Sequence, residues 1–494
     1  MTDATPAATD NQKAFFGMRL NIGFWAGIAV ALCLQLFPPP DGLSADGWRI
    51  ASLGLLMAIW WASEAVPLAV TGLLPLALAP LITNLSIGSV VAPPYASTIV
   101  LLLMGGLMMA KGVERWGLHE RIALNVVSRV GDHPRALVFG FMTATALLSM
   151  WISNSATTLM MVPIALSAAV AGGDKDGGPL TKALLLGVAY SASIGGVATP
   201  VGTPTNLIAL SFLQEAGAGS ISFLQWMMFG VPTVLLMIPL AWLIICFGGV
   251  GRITHSSAGE GGEKVQAAIK ERLKALGAMS RQETRVAIVF AIVAGLWIFR
   301  QLLQQVPGLS GLTDTGIAFI GAVAMMIVPA GNGTRKPLVE WKDAETIPWS
   351  VILLFGGGMS LAKCVEISGL AGWMGAQLSI AEVLPTWLLV MLVVTIMIYL
   401  TELTSNVATT STFMPVLAIL AVATDIPFAA LAGPAAVAAS CAFMLPVATA
   451  PNAIIYASGK VQVKDMLRAG MRLNLTGVAV LTLVGLVLAP IALG

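Results

Sequence analysis

Apolar stretches of about 18 to 25 residues recur along the chain from residue 20 to residue 493, each long enough as a helix to cross a hydrocarbon core of ~30 Å. Short polar segments separate them, and the alternation predicts spans at 20–37, 48–65, 67–84, 95–114, 183–212, 226–249, 285–305, 313–330, 347–367, 428–458 and 470–493. Two further apolar segments, 135–171 and 385–423, are too long for one crossing and carry polar residues in their middles. They predict re-entrant helical hairpins that enter and leave on the same side. The fold class expected is an all-α polytopic membrane protein with about eleven transmembrane helices plus two such hairpins.

Composition agrees with that reading. Hydrophobic residues fill 57% of 494 positions and charged ones 10%, too few for a soluble chain of this size to cover its surface. The first apolar stretch follows a tail with Lys13 and Arg19 and is not followed by a small-residue cleavage site, so it reads as a retained span. Cys33, Cys246, Cys364 and Cys441 lie in apolar segments without CxxC spacing and read as buried thiols acting as small hydrophobes. With the N-terminus in the cytoplasm, all of the 26 Lys and Arg except Arg49, Arg300 and Lys363 fall on cytoplasmic segments. That asymmetry sets the orientation of a multi-pass protein of the inner (plasma) membrane, and one extra or missing crossing would scramble it. Nothing in the charge pattern points to nucleic acid. The longest loop, 250–284, ends in EKVQAAIKERLKAL, with Val265, Ile269, Leu273 and Leu276 on one helical face. It reads either as an interfacial helix tethering two halves or as a solvated linker.

Polar runs inside the apolar segments are expensive and therefore informative. SNSATT at 153–158 has a twin, SNVATT at 405–410, at an offset of 252 residues. VERWGL at 113–118 pairs with VEISGL at 365–370 at the same offset, and MGGLM pairs with FGGGM at 251. PVGTPTN at 200–206 pairs with PVATAPN at 446–452 at 246, the GGDKDGG loop absorbing the difference. Landmarks in one order mark an internal duplication. It divides the chain into a tail and scaffold helices (1–89), a first repeat (90–250, hairpin 135–171, broken helix 183–212), a linker (251–284), further scaffold helices (285–344) and a second repeat (345–494, hairpin 385–423, broken helix 428–458). An odd number of crossings separates 95–114 from 347–367, so the repeats are inverted. Inverted repeats with interrupted helices are the sign of a secondary transporter with a site near the midplane.

Ser and Asn favour helix N-caps, so SNS and SNV each start the second helix of a hairpin. Thr203-Pro204 supplies a cap followed by proline at the first helical position, and Thr449 before Ala450-Pro451 repeats the device less strictly. Four N-termini converging on an anion give at most about 2 kcal/mol each, against tens for taking a bare carboxylate out of water. The motifs hold no Lys or Arg, so bound cations are the remaining source of positive charge. Taken singly, such clusters would be helix-packing glue worth about 0.6–2 kcal/mol per hydrogen bond. Four of them related by a repeat argue for a shared site. Glu402, four residues before Asn406, either tunes a cation site or braces the hairpin, while Glu64 reads as structural. His119, His133 and His255 fall in predicted loops, and HExxH, GxSxG and paired aspartates within spans are missing, so an enzyme is not expected.

The paired SNT-type tips, the GTPxN break and the PVATxPN break resemble the divalent anion/sodium symporters, among them the sodium-coupled dicarboxylate and citrate carriers. The likeness runs from about residue 48 to the C-terminus. It implies a homodimer in membrane lipid, each protomer a scaffold plus a mobile transport domain that moves as an elevator. It also implies sodium as the co-transported ion, with one sodium site at Ser149, Ser153, Asn154 and Gly202 and a second at Thr401, Thr404, Asn406 and Ala448. The carboxylates of a small dicarboxylate would meet Asn154, Ser155, Asn406, Val407 and Thr449, with Thr203 and Pro204 close by. C4 acids such as succinate, fumarate and malate are the expected cargo; citrate, sulfate and sodium-independent exchange are the alternatives. Two departures stand out: the tips read SNS and SNV in place of SNT, and Ala450 replaces a proline common in the second break.

Overall fold

A computed structural model describes residues 22–131, 133–174, 177–216, 221–249, 261–331, 336–377 and 384–493. The N-terminal tail with Lys13 and Arg19, and Lys175, Arg252, His255 and Arg335, lie outside the described residues. Among those described, every extended element is helical, and the single β-pairing is an isolated bridge between Pro329 and Pro337. Among the described residues, eight helices are long and apolar enough to cross a membrane. They include Asn154–Ala171 and Asn406–Thr424, which follow the two polar tips; the helices before the tips, Pro134–Ser149 and Thr386–Thr401, have 16 residues each.

The chain forms two compact units. The first takes the residues up to Val100, Pro348–Leu384 and Ser411–Ile426. Its helix Ala45–Ser63 is capped by Ser44, whose hydroxyl accepts from the Gly47 amide at 2.9 Å. It ends where Glu64 turns left-handed (φ 49°), just before Pro67. Glu64 is exposed at this helix end, so the carboxylate expected at depth serves as a C-terminal turn. Trp60 stacks on Phe24 at 5.0 Å and donates Nε1–H to the Phe24 carbonyl, joining this helix to Ile22–Gln35. Cys33, on that first helix, is exposed, unlike the other three cysteines: the residue sits on the face of the helix away from Trp60's partners.

FGGGM owes its glycines to close packing in this unit. A Cβ on Gly357 would lie 2.1 Å from the Gly72 carbonyl, and one on Gly356 would lie 2.3 Å from the Tyr95 ring. Tyr95 in turn donates its hydroxyl to Gly72 O at 2.6 Å, and Ser360 donates to Val91 O at 2.7 Å. Small residues let two backbones meet where apolar side chains would hold them apart.

The second unit takes Leu101–Ile347, Pro385–Thr410 and Pro427–Gly494. The stretches 183–212 and 428–458, read from the sequence as broken helices, each form two helices around a break: Pro179–Gly195 and Pro204–Glu215 in the first, Phe428–Ala439 and Ala450–Ala457 in the second. The last helix starts earlier than its apolar run, at Val463, because Asp465 faces Lys182 at 2.8 Å and lets the polar turn pack. The loop sequence after residue 260 forms a helix, Gly261–Ala275, packed on Leu118–Ser128 and Asn154–Ala171. Val265 and Ile269 are buried there, while Leu273 and Leu276 are half-buried. Gln266 donates to the Val127 carbonyl, and Arg121 pairs with Glu283 at 2.8 Å and donates to Gly277 O. The helix is therefore held by the protein itself and is not a free linker.

Beside the first hairpin, Trp151 stacks near-parallel to Phe223 and Trp297 and meets Phe290 edge-on at 5.1 Å. Phe223 and Trp297 stack at 4.4 Å, and Asp314 accepts from the Phe223 amide at 2.9 Å while facing Arg300 at 3.1 Å.

Packing of this kind makes a sharp contrast between two glycines of the first unit. Gly357→Ala drives a methyl into the Gly72 carbonyl and should cost about 1–3 kcal/mol or more. Gly372→Ala, with nothing within 4 Å of a new methyl, should stabilise its helix by up to about 1 kcal/mol. Thermal unfolding of the two purified variants in detergent measures the pair; equal shifts would refute the close approach.

Candidate substrate and cation site

Both hairpin tips lie in the second unit and are built alike. The first helix ends at Ser149, the chain turns through Met150-Trp151-Ile152, and a new helix opens at Asn154. Ser153 caps it, its hydroxyl accepting from the Ala156 amide and its carbonyl from Thr157. In the second hairpin the helices end at Thr401 and reopen at Asn406, with the Thr409 amide on the Ser405 carbonyl at 2.8 Å. Thr158 donates to Asn154 O and Thr410 donates to Asn406 O, a pair of bonds 252 residues apart.

Each tip carries a cluster of three oxygens. The Ser149 hydroxyl is 2.7 Å from Asn154 Oδ1 and 2.6 Å from the Ala192 carbonyl. The Thr401 hydroxyl is 2.8 Å from Asn406 Oδ1 and 2.9 Å from the Ala439 carbonyl. A hydroxyl has one hydrogen, so it can satisfy one of its two oxygen neighbours at a time. Three convergent neutral oxygens with one hydrogen among them are an electronegative point of the kind that a hard cation occupies. Both clusters are closed by a carbonyl from the last turn of a half-helix: that of Ala192 also accepts from the Gly196 amide, and that of Ala439 is the last of its helix. Among the described residues no group of three His, Cys, Asp or Glu gathers.

The breaks are held open by the last residue of each duplicated motif. Asn206 donates Nδ2–H to the carbonyls of Gly196 (2.9 Å) and Thr199 (2.7 Å); Asn452 donates to those of Ala442 and Leu445, both at 3.0 Å. Donors and acceptors alike repeat at the 246-residue offset of the motifs. The Oδ1 of each Asn is buried without a partner. Glycine brings the first break against the first tip: a Cβ on Gly196 would lie 2.5 Å from Asn154 Oδ1, and one on Gly202 would lie 2.4 Å from Gly196 O. Thr199 also donates to the Met150 carbonyl, and Thr205 and Ser440 join the two breaks through their hydroxyls at 2.9 Å.

The capping expectation is reversed between the breaks. Thr203 precedes Pro204 in extended conformation, but its hydroxyl caps nothing, because its own carbonyl takes the Asn206 amide. Thr449, expected to be the looser of the two, accepts from the Asn452 amide at 3.2 Å. Ser153 serves its cap, and Thr404 bonds to the Leu400 carbonyl and to Thr409. Gly202 and Ala448 occupy the turns of the breaks, their amides on the Thr199 and Leu445 carbonyls. Ser155, Val407 and Pro204 are half-buried, and the side chains of Ser155 and Val407 make no hydrogen bond among the described residues.

Glu402 braces the second break. Its Oε1 accepts from the amides of Phe443 (2.8 Å) and Met444 (2.9 Å) and from Asn474 Nδ2 (2.8 Å), and its Oε2 accepts from the Leu445 amide (3.0 Å). Of the two roles open from the sequence, this geometry selects the brace. Tyr190 holds the same break from the other side, its hydroxyl donating to the Phe443 carbonyl at 2.8 Å. Asn206, Asn452, Tyr190 and Asn474 are the residues that sequence reasoning passed over. The signal for the first two was present, since Asn closes both copies of the break motif.

A family profile described as the transmembrane region of sodium:sulfate symporters matches residues 19–492, beginning earlier than the likeness read from the motifs. The chain is 38% identical to a sodium-dependent dicarboxylate transporter, SdcS, of Staphylococcus saprophyticus, the alignment covering 96% of this chain and 93% of that one. It is 36% identical to the transporter of the same name in Staphylococcus aureus, over 98% of this chain and 94% of the other. Among solved structures it resembles the Alcanivorax borkumensis YdaH transporter with a TM-score of 0.59 at 15% identity, over 90% of this chain and 98% of that one, a likeness of fold.

The brace can be separated from a cation ligand by experiment. Glu402→Gln replaces an acceptor with a donor against the break amides and should lower stability by about 1–3 kcal/mol per amide left unpaired. The loss should be the same in sodium and in choline buffer, measured as the unfolding temperature; a loss confined to sodium buffer would make Glu402 a ligand instead.

Proposed function

The chain belongs to the sodium:sulfate symporter family, and from that premise we propose that it carries C4 dicarboxylates such as succinate, fumarate and malate together with sodium ions. It is a multi-pass membrane protein and a secondary transporter, with sodium as its co-transported ion. The family profile carries the name of sulfate and the relatives that of dicarboxylates. Likeness to the relatives at 36–38% identity over nearly the whole length favours the dicarboxylate.

The observation that carries the reading is the twin oxygen cluster, Ser149 with Asn154 and Thr401 with Asn406, each closed by a broken-helix carbonyl. We assign a sodium ion to each, with Ser153 and Gly202 completing the first shell and Thr404 and Ala448 the second. The dianion lies between them, its carboxylates on the amides and hydroxyls of Asn154, Ser155, Asn406 and Thr449, with Thr203, Pro204 and Val407 as walls. Each cation about 5 Å from a carboxylate contributes roughly 3 kcal/mol at an effective dielectric of 20. Sodium therefore raises the affinity for the anion, and the anion raises the affinity for sodium by the same factor. Loaded, the site is close to neutral and can change its exposure; with the anion alone it cannot. The repeats give alternating access by an elevator movement of the hairpins and broken helices in a homodimer of the inner (plasma) membrane, N-terminus in the cytoplasm, and the reaction is transport and not catalysis.

Reconstituted protein should accumulate labelled succinate when sodium is supplied outside and should not do so in choline. Equal uptake in choline, or uptake that needs internal dicarboxylate and no sodium, would replace the symporter with an exchanger. Sulfate in excess should leave succinate uptake intact; full competition would restore the family name as the substrate. Ser149→Ala and Thr401→Ala each remove one cation ligand and should raise the sodium needed for half-maximal uptake by on the order of tenfold. Asn154→Ala and Asn406→Ala should abolish uptake with folded protein still in the membrane, since each amide serves both ions and substrate.

A further inference from the structure

A groove in the first unit, well apart in sequence from the motifs, has the chemistry of a lipid site. The helices Ile22–Gln35, Ala45–Ser63 and Leu68–Ile82 enclose a cavity of about 640 Å³. Its walls are apolar, with Leu32, Leu53, Leu56 and Leu81 among them, and Leu32 and Leu81 are 64% and 78% exposed. One end differs: Arg49, Gln35 and Asn84 line it. That volume suits a flexible hydrocarbon segment, and an arginine at one end of an apolar groove sets the polarity of whatever lies along it.

Arg49 stands on the second turn of its helix and is one of three cations that break the charge asymmetry of the chain. It bonds to Asp46 Oδ1 at 3.2 Å through one of its five guanidinium donors, and its side chain lines the groove. Asp46 is held in place by Asn84, whose backbone and side-chain N–H groups both reach Oδ2 at 3.3 Å. At the polar end a positive charge, Arg49, lines the groove, and a partly exposed negative charge, Asp46, stands directly beside it. A purely anionic headgroup would meet Asp46 as well as Arg49 and lose part of its attraction; a zwitterion meets both with opposite charge.

We propose that this groove binds one zwitterionic aminophospholipid, its phosphate on Arg49, its primary ammonium on Asp46, and an acyl chain along the leucine walls. Phosphatidylethanolamine has this chemistry. Phosphatidylglycerol lacks the ammonium, and phosphatidylcholine cannot donate a hydrogen bond to Asp46.

The test uses the full chain in detergent, stripped of lipid and examined by native mass spectrometry with phosphatidylethanolamine, phosphatidylglycerol or phosphatidylcholine added at equal concentration. One phosphatidylethanolamine should be retained per chain, with an apparent affinity on the order of tenfold above the other two. Arg49→Gln and Asp46→Asn should each erase the preference, and Lys363→Gln, at another of the three exceptional cations, should keep it. Leu81→Trp fills the groove without touching a charge and should reduce retention of the lipid, so the proposal stays testable if a charge variant does not fold. Free phosphoethanolamine should not compete. Equal retention of phosphatidylglycerol or phosphatidylcholine, undiminished retention in both Arg49→Gln and Leu81→Trp, or competition by the free headgroup would overturn the assignment.

Discussion

Two interrupted helices inside a buried bundle leave backbone groups without helical partners, and the second unit is organised around satisfying them. A buried amide or carbonyl without a partner costs about 1–3 kcal/mol, so every freed group near Gly196–Thr203 and Ser440–Thr449 is a demand on its neighbours. The demand is met twice in one way, by an Asn that opens the second half-helix and reaches back across the break. It is met in part by the second tip, whose Thr401 hydroxyl takes the last carbonyl of its half-helix, that of Ala439. What the chain leaves unmet is oxygen. Spare acceptors remain around each hydroxyl, the place of the proposed sodium ions.

The two breaks solve the rest of that problem differently. In the first, Gly196–Ala198 coil as a tight helical turn, so the chain keeps its amides within itself, and Gly202 folds back against the Gly196 carbonyl. In the second, residues 441–443 follow no helical course, and three successive amides point at one place. A carboxylate is the acceptor that can serve all three, and Glu402 supplies it beside Thr401 of the second oxygen cluster. The equivalent position in the first hairpin, 252 residues earlier, is Met150, whose place needs no charge because its break exposes no such row of amides. One half of the site therefore holds a carboxyl group beside its oxygen cluster and the other does not, which breaks the equivalence that the duplication alone would impose.

Much of this was legible in the sequence because it depends on residue type at a fixed spacing. The offset of 252 between the tips and of 246 between the breaks recurs, bond for bond, in Ser149 and Thr401, Thr158 and Thr410, and Asn206 and Asn452. The helix starts at Asn154 and Asn406 followed from capping preference, and the all-helical class from span length. What escaped depends on distance in space. Tyr190 and Asn474 lie on helices remote in sequence from Glu402 and Phe443, and no local rule links them. Thr203 and Thr449 have the same preference for capping; which hydroxyl is used turns on whether the threonine's own carbonyl takes the amide three residues on. The glycines of FGGGM looked like one landmark of a repeat, but their reason is the passage of Gly72 and Tyr95.

A site assembled from neutral groups has a further consequence for selectivity. Had an arginine faced the anion, the anion would bind with or without sodium and leakage of one without the other would follow. With amides, hydroxyls and helix ends, each attraction is small, at most about 2 kcal/mol per helix terminus, and none suffices to strip a dianion of its water. Coupling then requires no separate gate for ordering the ligands. It arises because the scaffold withholds positive charge, and the same economy explains why the motifs are rich in Ser, Thr, Asn and Gly yet hold no Lys or Arg in a chain that has 26 of them elsewhere.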